Sequence, residues 1–92
     1  MARPKMTREG LVFAEVTNNP ANVVTLTAND VVLVVKGARL NYPVIVWAAS
    51  LESGLIISNA RATAIDEVTF SLANVTAGDI NPASQAFSVV QF

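Results

Sequence analysis

Apolar and polar residues alternate with a period of two in several short stretches, and no long window keeps a helical period. The clearest case is Val68 to Leu72, where Val68, Phe70 and Leu72 fall on one face and Thr69 and Ser71 on the other. That alternation predicts a half-buried strand, and β-branched and aromatic residues suit its pleated surface. Upstream, Leu55 to Ala64 is a second β-rich run, and Ile65-Asp66-Glu67 supplies a turn before the strand Val68 to Val75. A loop over Ala77–Ser84 follows, then a last apolar strand to Phe92.

The first half reads the same way with weaker punctuation. Leu11 to Thr17 predicts a strand, and Asn18 to Asn22, with Pro20, a turn. Val23 to Ala28 predicts another strand, with Val24, Leu26 and Ala28 opposite Thr25 and Thr27. Asn29-Asp30 then predicts a tight turn or a bulge. Val31 to Val35 is apolar at every position. It fits a central strand covered on both sides, or a strand with one face in the core and the other at a subunit contact. Lys36 to Pro43 is a loop in which Gly37 permits positive φ, Val44 to Ala48 a strand, and Ser50 to Gly54 a connection. About seven to eight short strands at this spacing predict an all-β chain, an antiparallel sandwich or a barrel.

Ninety-two residues make one domain. Composition adds one constraint: only 14% of residues are charged, against about 25% in ordinary globular proteins. A small protein covered by so few charges should expose apolar surface that needs a partner, so self-assembly is expected; the alternative is a surface made polar by Thr, Ser and Asn. The charge is uneven. Arg3, Lys5 and Arg8 against Glu9 give residues 1–9 a sum of +2, while the remaining three cations and six acids give −3. Residues 1–9 therefore read as a flexible basic arm on a mildly acidic domain spanning 10–92, with Arg3, Lys5, Met6 and Arg8 as candidates for contact with a partner. A terminus without a role is the alternative. Nucleic-acid binding would need a wider basic stripe with stacking aromatics. The apolar runs are too short to span a bilayer, and no signal segment precedes Glu9, so a chain made in the cytoplasm is expected.

Candidate chemistry is sparse. The sequence contains no histidine and no cysteine, which removes the commonest general base and metal ligand, any thiolate metal site, and the base that a serine nucleophile would need. Asp66 and Glu67 are adjacent and suit a turn better than an acid–base pair. Asp30, Asp66 and Asp79 lack the spacing of a calcium loop, and the four glycines are scattered rather than grouped into a phosphate loop. Asn74-Val-Thr76 matches a glycosylation acceptor by form alone. No cofactor and no metal is implied, and a non-enzymatic role is expected. Trp47, flanked by Val46 and Ala48, reads as a core or interface anchor, with a sugar-stacking platform as the alternative. The subunit-interface candidates are Val32, Val34, Ile45, Trp47 and Phe92.

Certain blocks go together: Val-Val-Lys-Gly-Ala (34–38), Gly-Leu-Ile-Ile-Ser-Asn-Ala-Arg (54–61), Ile-Asp-Glu-Val-Thr-Phe (65–70), Ala-Asn-Val-Thr-Ala (73–77) and Ile-Asn-Pro-Ala-Ser (80–84). Together with a strand ending at Trp47, this series resembles the small β-sandwich proteins of bacteriophage virions, the head decoration (cement) proteins and fibre modules. The likeness covers most of residues 23–92 and departs at Asn81, where Asp is common, and at Gln85, where Gly is common. It implies a jelly-roll-like sandwich forming a homo-oligomer, a trimer in many such proteins. It also implies attachment to the major capsid protein on the exterior of the virion. A fibre or receptor-binding module recognising a cell-surface glycan through Trp47, Tyr42 or the 77–84 loop is the competing expectation.

Overall fold

The computed structural model describes residues 12–92. The chain is all-β: β1 (Val12–Asn18), β2 (Ala28–Val34), β3 (Val44–Trp47), β4 (Leu55–Ala64), β5 (Glu67–Asn74) and β6 (Gln85–Gln91). They form two antiparallel three-stranded sheets, ordered β1-β6-β3 and β2-β5-β4. Six strands stand among the described residues, against the seven to eight expected.

The alternation of β5 sets the interior. Val68, Phe70 and Leu72 are fully buried, as are Phe87 and Val89 of β6. Phe70 and Phe87 meet with ring centroids 5.1 Å apart and planes tilted by 43°, so the two central strands join the sheets through one aromatic pair. Val31, Leu33 and Val35 add the inner face at β2, Val46 that of β3 and Leu55 that of β4, making one hydrophobic core.

The β4–β5 hairpin falls where the sequence places it. Asp66 occupies its turn with φ +67°, a conformation Asp tolerates. Its carboxylate accepts the Gly37 N–H at 2.8 Å, and its own N–H donates to the Ala38 carbonyl at 3.0 Å. The turn is thereby docked on the 36–38 loop, where Gly37 itself has φ +93°. Midway along β4 the register slips between Ser58 and Arg61, with Asn59 at φ +54°. This bulge turns Ala60 towards the core.

Three expectations are corrected. Val23 to Ala28 is not a strand. Val23 is buried and exchanges backbone bonds with Ile80 (2.8 and 3.0 Å), after which the chain turns at Thr25-Leu26, with Leu26 at φ +57°. Side chains and loop partners win over β-propensity here: Thr27 N–H and hydroxyl both donate to Val24 C=O. Thr25 N–H donates to Asp79 at 3.0 Å, and its hydroxyl donates to Thr76 C=O. Asn29-Asp30, expected as a turn or bulge, instead runs inside β2 in unbroken register with β5. Val31 to Val35 is not a covered central strand either. β2 lies at a sheet edge, with Val31 and Leu33 buried and Val32 and Val34 exposed.

Candidate functional site

The two sheets differ in what they present outwards. On β1-β6-β3 the register places Phe13, Val90 and Ile45 in one row across the three strands. Glu15, Ser88 and Trp47 form the next row. Phe92 follows β6, its N–H donating to Pro43 C=O at 3.2 Å. Exposure of the large side chains is 66% for Phe13, 50% for Ile45, 44% for Trp47 and 42% for Phe92. Among the described residues of this face Glu15 is the sole charged side chain. Inner positions of the same strands carry Ala14, Val16, Val46, Phe87 and Val89, so these strands are apolar on both sides, and none of the described residues covers the outer side.

The outer face of β2-β5-β4 is polar by comparison. Asp30, Ser71 and Ser58 form one row. Ser71 Oγ donates to Asp30 at 3.1 Å, and Arg61, from the row beside it, lies 3.5 Å from the same carboxylate. Thr63 and Thr69 share a hydrogen bond at 2.8 Å. The interface candidates therefore divide. Ile45, Trp47 and Phe92 come together on one face, joined by Phe13 and Val90, whereas Val32 and Val34 stand on the other sheet. Trp47 is half-exposed and not a core residue. The basic arm with Arg3, Lys5, Met6 and Arg8 lies outside the described residues.

The loops around the sheets are latched by side-chain amides. Gln91, fully buried, accepts the Arg39 N–H at 2.8 Å through Oε1 and donates to Arg39 C=O at 2.6 Å. The Arg39 guanidinium stacks 4.1 Å from the centroid of the Tyr42 ring, which occupies one face of that aromatic. Asn74, 1% exposed, donates to Val23 C=O (3.0 Å) and Gly78 C=O (2.8 Å). Its Oδ1 accepts from Thr76 N–H (2.9 Å) and Thr76 Oγ1 (2.6 Å). The Asn-Val-Thr triplet is thus a structural clamp whose amide is committed inside the fold. Gly54, at φ +94°, sits against the Thr76 methyl, where any Cβ would collide.

The acidic side chains are dispersed. Asp30, Asp66 and Asp79 each bind a different local partner, as described above, and among the described residues no three acidic groups converge as metal ligands. Glu52 fastens the 50–54 connection to the 81–84 loop, accepting the Ala83 N–H at 2.7 Å and Gln85 Nε2 at 3.0 Å. The Ala83 N–H, more than the Gln85 amide, holds its carboxyl below the usual range, against a smaller opposing effect of burial. A depressed folded pKa stabilises the fold above the unfolded value, and that contribution is lost as pH falls through the folded value. The melting temperature of Glu52→Gln should therefore lie below wild type at neutral pH and converge with it in acid well below pH 4.5. Parallel melts across that range check this; a constant gap would refute it.

Comparison of the chain with known protein families, with curated proteins and with solved structures finds no match.

Proposed function

We propose that this chain is a non-catalytic structural subunit of a bacteriophage virion. It self-associates as a homo-oligomer, a trimer by the resemblance, and decorates and stabilises a shell of major capsid protein from outside. The observation that carries this reading is the apolar outer face of β1-β6-β3, with Phe13, Ile45, Trp47 and Phe92 exposed around Val90 among the described residues. Such a face belongs against protein, and its action is binding energy multiplied over many copies. The strand order supports a jelly-roll-like sandwich. β1–β6 and β2–β5 are nested pairs, and β3 and β4 add on the far sides of β6 and β5. This is the order left when the fifth and sixth strands of an eight-stranded jelly roll are omitted. Gly37, Gly54, Asn74 and Thr76, all within the blocks that carry the resemblance, sit at turns and clamps. The resemblance therefore bears on fold, and the apolar face bears on function.

Light scattering on the purified protein, alone and mixed with capsid shells that lack it, tests the reading. Wild type should be oligomeric and co-sediment with shells. Ile45→Lys, at a half-exposed outer position, should keep the fold but place a charge in the row of Phe13 and Val90. The loss of about 2 kcal/mol or more at an interface centre weakens association at least ~30-fold. A monomer indifferent to shells would overturn the proposal. The second reading, a glycan-binding fibre module, would then lead. Trp47 favours it locally, because its row continues through polar Ser88 and Glu15.

A further inference from the structure

The free edge of β2 has a feature that the apolar face does not explain. Asn74 N–H donates to Thr27 C=O and Val35 N–H donates to Asp66 C=O. These two bonds fix the phase of the ladder, because antiparallel partners alternate between bonded and non-bonded pairs. Odd-numbered residues of β2 turn their backbone groups to β5, so Ala28, Asp30, Val32 and Val34 turn theirs outwards. Among the described residues no strand pairs with them.

Sheet edges are normally blunted by proline, lysine, bulges or short length. β4 has two register shifts, β3 is four residues long and follows Pro43, and β1 has Glu15 at its middle. β2 has none of these devices. It runs seven residues in unbroken register, with one charge, Asp30, already engaged by Arg61 and Ser71. Val34 and Val32 flank the edge at 72% and 48% exposure.

We infer that β2 pairs antiparallel with β2 of a second copy of this chain, about a two-fold axis at Val31, joining the two β2-β5-β4 sheets into one. Self-pairing has one register that uses every outward group. Centred on Val31, it sets Ala28 opposite Val34 of the other copy and Asp30 opposite Val32. Centred on Asp30, the pairing would oppose two carboxylates directly, which is unfavourable. Centred on Val32, it would set Ala28 opposite Lys36, beyond the strand. This contact uses a surface separate from the β1-β6-β3 face and does not rest on the capsid reading.

The sequence contains no cysteine, so single cysteines report cleanly. Ala28→Cys and Val34→Cys, both at exposed outer positions, are purified separately and oxidised mildly, alone and mixed, each also in the Ile45→Lys background. Directly opposed residues in such a pair lie about 5.5 Å apart at Cα, within disulfide range. The mixture should give a disulfide heterodimer in both backgrounds, and neither protein alone should. Val32→Pro removes an outward N–H at an edge position, where a strand tolerates proline, and leaves the β5 ladder its donors, so introduced into both cysteine proteins it should abolish the cross-link. A mixture that cross-links no faster than its components overturns the inference, whether the edge is open or covered by another segment.

Discussion

Phe70→Ala is expected to cost about 3–5 kcal/mol. Phe70 is fully buried at the centre of β5, and its ring meets Phe87 of the opposite sheet at 5.1 Å. Truncation opens a void where both sheets converge and removes a tilted aromatic pair, itself worth about 0.5–1.5 kcal/mol. Domains of this size have about 5–15 kcal/mol in total, and each kcal/mol shifts the midpoint by roughly 4–8 °C. The melting temperature should therefore fall by roughly 12–40 °C. Urea titration should show the loss as a lower midpoint at unchanged slope. Phe70→Leu, which keeps most of the volume, should lose markedly less. A loss under about 1 kcal/mol for the alanine variant would mean that the two sheets do not depend on this contact.

Asn74→Ala is expected to follow, at about 2–4 kcal/mol, although the side chain is small and polar. Its amide serves Val23 and Gly78 as donor and Thr76 as acceptor. Removal deletes these four hydrogen bonds, each worth about 0.5–1.5 kcal/mol net; Val23 C=O keeps the Ile80 N–H and Gly78 C=O keeps the Thr76 hydroxyl, while Thr76 N–H loses its acceptor. It also releases the two loops that flank the end of β5. Thr76→Val provides the comparison. It deletes only the hydroxyl, whose bonds run to Asn74 Oδ1 and Gly78 C=O at a partly exposed site, and it should cost about 1 kcal/mol or less. Chemical denaturation of both variants decides the point. Equal losses would show that the clamp is held by the threonine and not by the buried amide.

The contrast between β5 and the segment at Val23–Ala28 shows what was legible in the sequence. Both alternate apolar residues with Thr or Ser. In β5 Val68, Phe70 and Leu72 all find the core, whereas in 23–28 only Val23 does, and Val24, Leu26 and Ala28 remain exposed. A period of two reports that a strand is possible there and does not report that an interior lies on one side. The turn at Thr25-Leu26 carries no Gly or Pro, and Asn29-Asp30, with the residue types of a turn, pairs as strand. Their side chains find distant partners, Asn22 C=O for Asn29 and Arg61 for Asp30, which no local pattern announces. The apolar face was half visible. Ile45, Trp47 and Phe92 stand out by residue type, but Phe13 and Val90 join them only through the pairing of β1 and β3 with β6. In Leu11–Thr17 both faces hold apolar residues, so which one points outwards depends on that long-range register.

The order of pairing also governs when this protein can form. β6 is the last strand, and it is the centre of one sheet: Val12 pairs with Gln91, and Val44 pairs with the same residue from the other side. β1 and β3 have no sheet until β6 is in place. In the other sheet β2 must wait for β5, and only the β4–β5 hairpin can close locally. Contacts so distant in sequence place the search in the millisecond-to-second range typical of all-β topologies. During that interval the outer and inner apolar faces of β1 and β3 are both in water. Folding therefore waits for β6, and a chain without that strand retains a hairpin and two unsheltered apolar ribbons, a species prone to aggregate.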